Sequence, residues 1–506
     1  MVANSNIGHM FRIGSRLAII SGLLLTTSAA IAQVGTPTTA ARMASGQRVQ
    51  KPRGTVSVVL LSDIHFDPFL DPAKVPRLAD APVSEWKAIL AASDSTEHQK
   101  SLAALQAGCH ARGTDTSFTL FEAGLRAMHS EAAKASFVAF SGDLIAHEFP
   151  CKYNLIFPHA APGEYRAFVE KTIDFVAGEL RRALPGVPVY LALGNNDSDC
   201  EDYRLDAGGE LLAHTATTVT HDLTAAEQKS AMASFADGGY YSATLPAPLQ
   251  KTRLLVLDDV FLSNHYTSCG GKADPSAGEA QLNWLEQQLA EARQKQEKIW
   301  VMGHIPPGVN PHPVTKLLKV CGGKHAEMFL ASERLAKVLA DNSDVIQLAL
   351  FGHTHMDELM LLKPEGDARS PGNSKGVAVK LIPSISPIHG NSPSFMTALV
   401  DPKTATMVDY RVFAAADVTG AGAWAEEYDF AKSYNKPEFS PTSLERLITA
   451  FRTDSSASTK LSQSYIYNLS AGGHMPFLAM FWSSYSCSLA NYSASEFQRC
   501  ACEHAP

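Results

Sequence analysis

Leu350-Phe-Gly-His-Thr-His-Met356 is the stretch whose reading decides the fold of this chain. It closes an apolar run, Val345-Ile-Gln-Leu-Ala-Leu-Phe351, that reads as a buried strand. The run breaks at Gly352, and His353 and His355 follow. In an extended or tightly turned segment, residues two apart point to the same side, so both imidazoles can reach one small volume. Neutral imidazole is the commonest metal ligand. Taken alone, the pair fits a polar loop as well as a metal site.

The same ending recurs along the chain. Thr55-Val-Ser-Val-Val-Leu-Leu61 closes on Ser62-Asp63-Ile64-His65. Phe137-Val-Ala-Phe-Ser141 closes on Gly142-Asp143. Val187-Pro-Val-Tyr-Leu-Ala-Leu193 closes on Gly194-Asn195-Asn196-Asp197, and Lys298-Ile-Trp-Val-Met302 on Gly303-His304. Helical periodicity fills the intervals at 118–135, where Phe118, Phe121, Leu125 and Met128 share a face, and at 164–183, 276–295 and 326–341. Strands alternating with crossover helices imply an α/β sheet. In such sheets ligands bind beyond the carboxyl ends of the strands. Further strands are expected at 252–257, 377–382, 395–400 and 407–413. The proline-bearing 67–114 reads as an irregular insert, and 198–239 as a polar surface excursion.

The 506 residues suffice for one large core plus an appended part. A hydrophobic content of 45% and a charged content of 19% mark a globular chain. The net charge of −8 argues against nucleic-acid binding, which needs a basic patch. Arg12 and Arg16, the apolar run 17–25 and the Ala30-Ile31-Ala32 ending read as an export signal over 1–32. The run is short for a membrane span, and no later stretch is long enough to cross a bilayer. A linker is expected over 33–54, a catalytic domain over 55–413 and a small helical subdomain over 414–506, with helices at 424–434, 443–452 and 460–469. The eight cysteines are even in number, and export to an oxidising compartment (secreted or periplasmic) makes disulfides the expectation. Cys269 with Cys321, and Cys487 with Cys500 or Cys502, are the expected pairs.

Collected, the strand-end groups are Asp63, His65, Asp143, Asn195, His304, His353 and His355. This mixture of imidazole, carboxylate and amide oxygen suits zinc, iron or manganese better than calcium or magnesium. One ion seldom takes more than about four to six protein ligands, so seven imply two divalent ions, zinc foremost, sharing a carboxylate. Two such ions clamp the oxygens of an in-line displacement at phosphorus and acidify a water. The chemistry indicated is hydrolysis of a phosphate ester or anhydride by a metal-bound hydroxide.

The order D-x-H, G-D, G-N-x-D, G-H, G-H-x-H over 55–412 resembles the calcineurin-like metallophosphoesterases. The resemblance implies a four-layer αββα sandwich. It also implies that Asp63, His65, Asp143 and His355 hold one ion and Asp143, Asn195, His304 and His353 the other. Gly142-Asp143-Leu-Ile-Ala-His147, Gly303-His-Ile-Pro-Pro-Gly308 and Ser384-Ile-Ser-Pro-Ile-His-Gly-Asn-Ser-Pro393 are similar to the acid sphingomyelinase-like phosphodiesterases, which are exported and zinc-dependent. That similarity implies His147 as the proton donor to the leaving oxygen, and it puts His389 and Asn391 in a loop over the metals, where they are expected to bind substrate by gripping phosphate or a leaving group. Asp197 is expected to orient His147 or a ligand.

Two departures bear on substrate. Acid sphingomyelinase carries histidine where Asn196 stands; asparagine can donate to a phosphoryl oxygen but cannot supply a proton. The G-N-N-D form also occurs in polyphosphatases. No six-cysteine saposin-like domain precedes Thr55, which favours a small phosphorylated substrate over lipid in a bilayer. Phosphodiesters or nucleotide-type pyrophosphates are the expected substrates. The alternatives are a phosphomonoesterase or polyphosphatase on the same core, and a non-catalytic phosphate-binding protein.

Overall fold

The computed structural model describes residues 54–161, 163–312, 319–364, 375–473 and 478–503. The expected export signal, and the linker up to residue 53, lie outside them.

Among the described residues, twelve strands form two six-stranded sheets. The first contains β1 (Val56–Leu61), β2 (Val138–Phe140), β3 (Val189–Leu191), β10 (Ser394–Val400), β11 (Met407–Ala415) and β12 (Trp424–Asp429), in the order β12-β11-β10-β1-β2-β3. The second contains β4 (Tyr241–Thr244), β5 (Thr252–Val256), β6 (Lys298–Met302), β7 (Ile346–Phe351), β8 (Glu358–Leu362) and β9 (Val377–Leu381), in the order β4-β5-β6-β7-β9-β8. The central strands are almost wholly buried, as their continuous Val, Leu and Ile runs require. The Trp300 ring of β6 meets Phe137, the residue before β2, with centroids 5.8 Å apart, so the sheets share an apolar interior. Helices cover the outer faces, giving the layered α/β architecture expected.

Register positions the strand ends. β1, β2 and β3 run parallel, with Leu61 level with Phe140 and Phe140 level with Leu191. β6 and β7 run parallel, with Met302 level with Leu350. The five motif-bearing loops therefore leave the sandwich at one edge. The loops from opposite sheets touch there: a Cβ on Gly352 would lie 1.9 Å from the Ser62 hydroxyl, so only glycine fits.

The structure corrects several expectations. The insert 67–114 is not irregular but carries three helices, Val75–Asp80, Val83–Ala91 and His98–Gly108. Pro76, at the first turn of the first helix, can sit there because no N–H is needed at that position. The polar excursion contains two helices, Glu210–Val219 and Ala225–Gly238. The segment starting at Trp424, expected as helix, is strand β12, because it pairs with the open edge of β11; a short helix, Phe430–Tyr434, follows it. Helices Pro441–Thr453, Lys460–Asn468, Trp482–Ser488 and Ala494–Cys502 come after.

The disulfides are Cys109–Cys151, Cys200–Cys269, Cys321–Cys502 and Cys487–Cys500. Cys487–Cys500 is one of the pairings expected. Cys269 does not join Cys321: backbone hydrogen bonds between 203–205 and Thr267 draw the Cys200 loop to Cys269. Cys321 instead holds the C-terminal helix through Cys502.

Candidate metal centre and its relatives

The loops that carry the motif residues adopt an unusual backbone. Asp63, His65, Asp143, His353 and His355 all have positive φ, between 45° and 71°. Left-handed backbone is costly for such residues and persists where the surroundings over-determine it, commonly at functional sites. Both two-apart pairs, Asp63 with His65 and His353 with His355, thus turn by left-handed steps and not by the extended geometry that spacing alone suggests.

Asp63, His65, Asp143, His304 and His355 are each at most 1% exposed, yet their polar atoms converge. His65 Nε2 lies 3.0 Å from His355 Nε2 and 3.3 Å from Asp143 Oδ2. His355 Nε2 lies 3.5 Å from Asp63 Oδ1. On the other side, His304 Nε2 lies 3.1 Å from both Asp143 Oδ2 and Asn195 Oδ1. His353 Nδ1 is 2.9 Å from Asn195 Oδ1. Two groups result, with Asp143 between them.

The donor inventory fits cations. His65 Nδ1–H donates to Ile145 O at 2.9 Å, and His304 Nδ1–H donates to Ser141 O at 2.8 Å. In the neutral rings, Nε2 therefore offers a lone pair to carboxylate and amide oxygens that are also acceptors. A positive charge must lie among them. Burial lowers the His65 and His304 pKa values, but the Asp143 carboxylate, helped by Asp63, raises them to about 9 and about 10. Burial and the neighbouring His304 push His353 down to about 3; burial and His65 hold His355 well below its usual value.

The other expected residues divide. His147 stacks on His65 with centroids 4.0 Å apart. Its partner is Asp115, not Asp197: Asp115 Oδ1 lies 3.0 Å from Nδ1, and Oδ2 accepts the His147 backbone N–H at 2.9 Å. Asp197 instead accepts from Leu144 N, Ile145 N and Gly194 N at 2.8, 3.1 and 2.9 Å, clamping the loop of Asp143 to that of Asn195. Asn196 donates its backbone N–H and its Nδ2 to Asp143 at 2.8 and 2.9 Å, so its first task is to hold that carboxylate. One amide hydrogen remains for another acceptor. His389 lies with its ring 4.5 Å from that of His355, and Asn391 braces the same loop by donating to Ser386 O at 2.9 Å. Sequence reading missed Asp115, Asp202, which accepts from Asn195 Nδ2 at 2.7 Å, and Tyr203, whose hydroxyl meets His353 Nε2 at 3.2 Å.

Residues 56–357 match the family described as calcineurin-like phosphoesterase. The chain belongs to that family. Curated relatives include the human acid sphingomyelinase-like phosphodiesterase 3b, 25% identical over 70% of this chain and 73% of that protein. Sphingomyelinase phosphodiesterase C of Dictyostelium discoideum is 23% identical over 70% of this chain and 74% of its own. The human cyclic GMP-AMP phosphodiesterase SMPDL3A is 24% identical over 67% of this chain and 69% of its own. As a calcineurin-like phosphoesterase with phosphodiesterases among its relatives, the protein is a hydrolase of phosphoric esters. Among the described residues, no helix is long and apolar enough to cross a membrane.

Proposed function

We propose that this calcineurin-like phosphoesterase is an exported, two-ion phosphodiesterase acting on small phosphodiesters or nucleotide-type pyrophosphates. The observation that carries the reading is the position of Asp143 Oδ2, 3.3 Å from His65 Nε2 and 3.1 Å from His304 Nε2. One ion would be held by Asp63, His65, Asp143 and His355, the other by Asp143, Asn195, His304 and His353. The donor set suits zinc, with iron and manganese as alternatives. Two bound cations supply Lewis acidity toward phosphoryl oxygens and lower the pKa of a coordinated water.

The chain's own residues supply the rest. A cavity of about 380 Å³ adjoins the centre and is lined by His147 and Asn196, with Phe149, Tyr165 and Glu201. His147 commits Nδ1 to Asp115, which leaves Nε2 to carry a proton to a leaving oxygen. Asn196 keeps Asp143 aimed between the two groups and has one amide hydrogen left for a substrate oxygen. The names of the phosphodiesterase relatives support a diester substrate. The four disulfides agree with an oxidising compartment, secreted or periplasmic.

A second reading of His147 has its own support. His65, His147 and His355 offer ring nitrogens within 4.8 Å of one another, so His147 could join the first ion as a ligand. The test is hydrolysis of bis-p-nitrophenyl phosphate, p-nitrophenyl phosphate, ATP, CDP-choline, polyphosphate and sphingomyelin before and after chelation. Diester or pyrophosphate cleavage that a chelator abolishes and metal restores supports the proposal. Cleavage of monoesters or polyphosphate alone points to the phosphatase alternative, and a metal-loaded protein inert on all six removes the enzyme reading.

A further inference from the structure

The outer nitrogens of the centre's imidazoles are not treated alike. Those of His65 and His304 face main-chain carbonyls, which can only accept, so each ring is fixed with a hydrogen outward, and the neutral ring can place its lone pair only inward. His353 is reversed. Its Nδ1 faces inward to Asn195 Oδ1, and its Nε2 meets the Tyr203 hydroxyl. A phenol both donates and accepts. Two arrangements therefore satisfy the ring. In one, Tyr203 donates to Nε2 and Nδ1–H donates to Asn195 Oδ1. In the other, Nε2–H donates to the Tyr203 oxygen, and Nδ1 turns a lone pair inward. Only the second can ligate.

The residue before Tyr203 acts on the neighbouring ligand. Asp202 Oδ1 takes a hydrogen of Asn195 Nδ2 and so fixes the amide with its oxygen toward His304 and His353. Tyr203 is itself held: its N–H donates to Asn195 O at 3.0 Å, and its carbonyl accepts from Thr267 N at 3.2 Å. Its φ is +58°, and the nearby Cys200–Cys269 disulfide ties the loop down.

We propose that Asp202 and Tyr203 are positioning residues that set the affinity of the second ion site, Asp202 by aiming the Asn195 oxygen and Tyr203 by letting His353 exchange between a hydrogen-bonding and a ligating tautomer. This rests on the two-ion reading above. The proton that leaves Nδ1 is matched by one gained at Nε2, so loading His353 releases none. The first site, with Asp63, His65 and His355, touches neither residue and keeps its affinity when they change.

The test is a zinc titration against a chromogenic chelator for the full-length protein, Tyr203→Phe and Asp202→Leu, with ¹⁵N shifts of the histidine rings recorded for the wild type and Tyr203→Phe. Tyr203→Phe removes a single oxygen, and Asp202→Leu keeps the branched side-chain shape without an acceptor, so either variant serves if the other does not fold. The expected result is two ions in the wild type and, in each variant, an unchanged first affinity with a second weakened by about 10–100-fold. In the wild type, one ring should change tautomer on zinc binding, and Tyr203→Phe should alter that signal. A second affinity unchanged in the variants, or both affinities falling together, overturns the inference while leaving the two-ion reading intact. A wild type that takes up one ion overturns that reading and this inference with it.

Discussion

Asp115 faces His147 with both carboxylate oxygens, one toward the ring nitrogen Nδ1 and one on the backbone N–H. The same carboxylate accepts the Ser386 hydroxyl at 2.8 Å and so joins the His147 loop to the loop that bears His389. The pair fixes which nitrogen of His147 remains available. His147→Ala should slow esters with poor leaving groups by about 10²–10⁴-fold and nitrophenyl esters far less. Asp115→Asn should move in the same direction, because an amide can present a hydrogen to Nδ1 where a carboxylate cannot. Steady-state rates over a series of leaving groups check this. Equal slowing across the series would argue for His147 as an ion ligand.

With no cation in the centre, its own histidines should stabilise the fold most near pH 6.5. His65 and His304, raised in the fold to about 9 and about 10 from 6.5, contribute fully below 6.5. That contribution is lost as pH rises through the raised values. His353 and His355 are depressed in the fold, so the unfolded chain takes up more protons as pH falls below 6.5, and stability drops there too. Thermal melts of chelated protein should fall in midpoint from pH 7 to 10, and metal-loaded protein should lose that alkaline limb.

Asp197→Ala should be strongly destabilising. The carboxylate is 1% exposed and accepts three backbone N–H groups, each costing about 1–3 kcal/mol when left buried and unpaired. Burial and the charge of Asp143 raise Asp197 to about 7, so the acid sits close to neutrality already. Asp197→Asn, which keeps an acceptor, should therefore cost less than alanine. Denaturant unfolding of the two variants measures the difference.

Strand β12 and the C-terminal helices together grip the ligand loop of β7. Asp357, two residues past His355, accepts from Tyr428 at 2.5 Å, and its N–H donates to Leu469 O at 2.7 Å. Glu358 accepts the Tyr485 hydroxyl at 2.6 Å. Tyr485→Phe leaves Glu358 short of a buried partner and should lower stability by about 1–3 kcal/mol. Hydrogen exchange should rise in 352–358 as well as around residue 485. A rise confined to the C-terminal helices would mean that the grip is not transmitted.

The centre was legible in the sequence because each ligand follows an apolar strand, and parallel register then brings all five strand ends to one edge. The residues that orient those ligands were not. Asp115 precedes His147 by 32 residues, and Tyr203 precedes His353 by 150; both lie in polar loops without periodicity. The disulfides were hidden for a similar reason: Cys200 meets Cys269 only because two loops pair by backbone hydrogen bonds that no side-chain pattern announces. Strand β12 escaped because its helix-like composition is overridden by the open edge of β11.

The most direct measurement of the two-ion centre is anomalous diffraction from crystals of the zinc-loaded protein. Two peaks should appear, one among Asp63, His65 and His355 and one among Asn195, His304 and His353, with Asp143 touching both. A single peak, or peaks placed away from Asp143, would contradict the account.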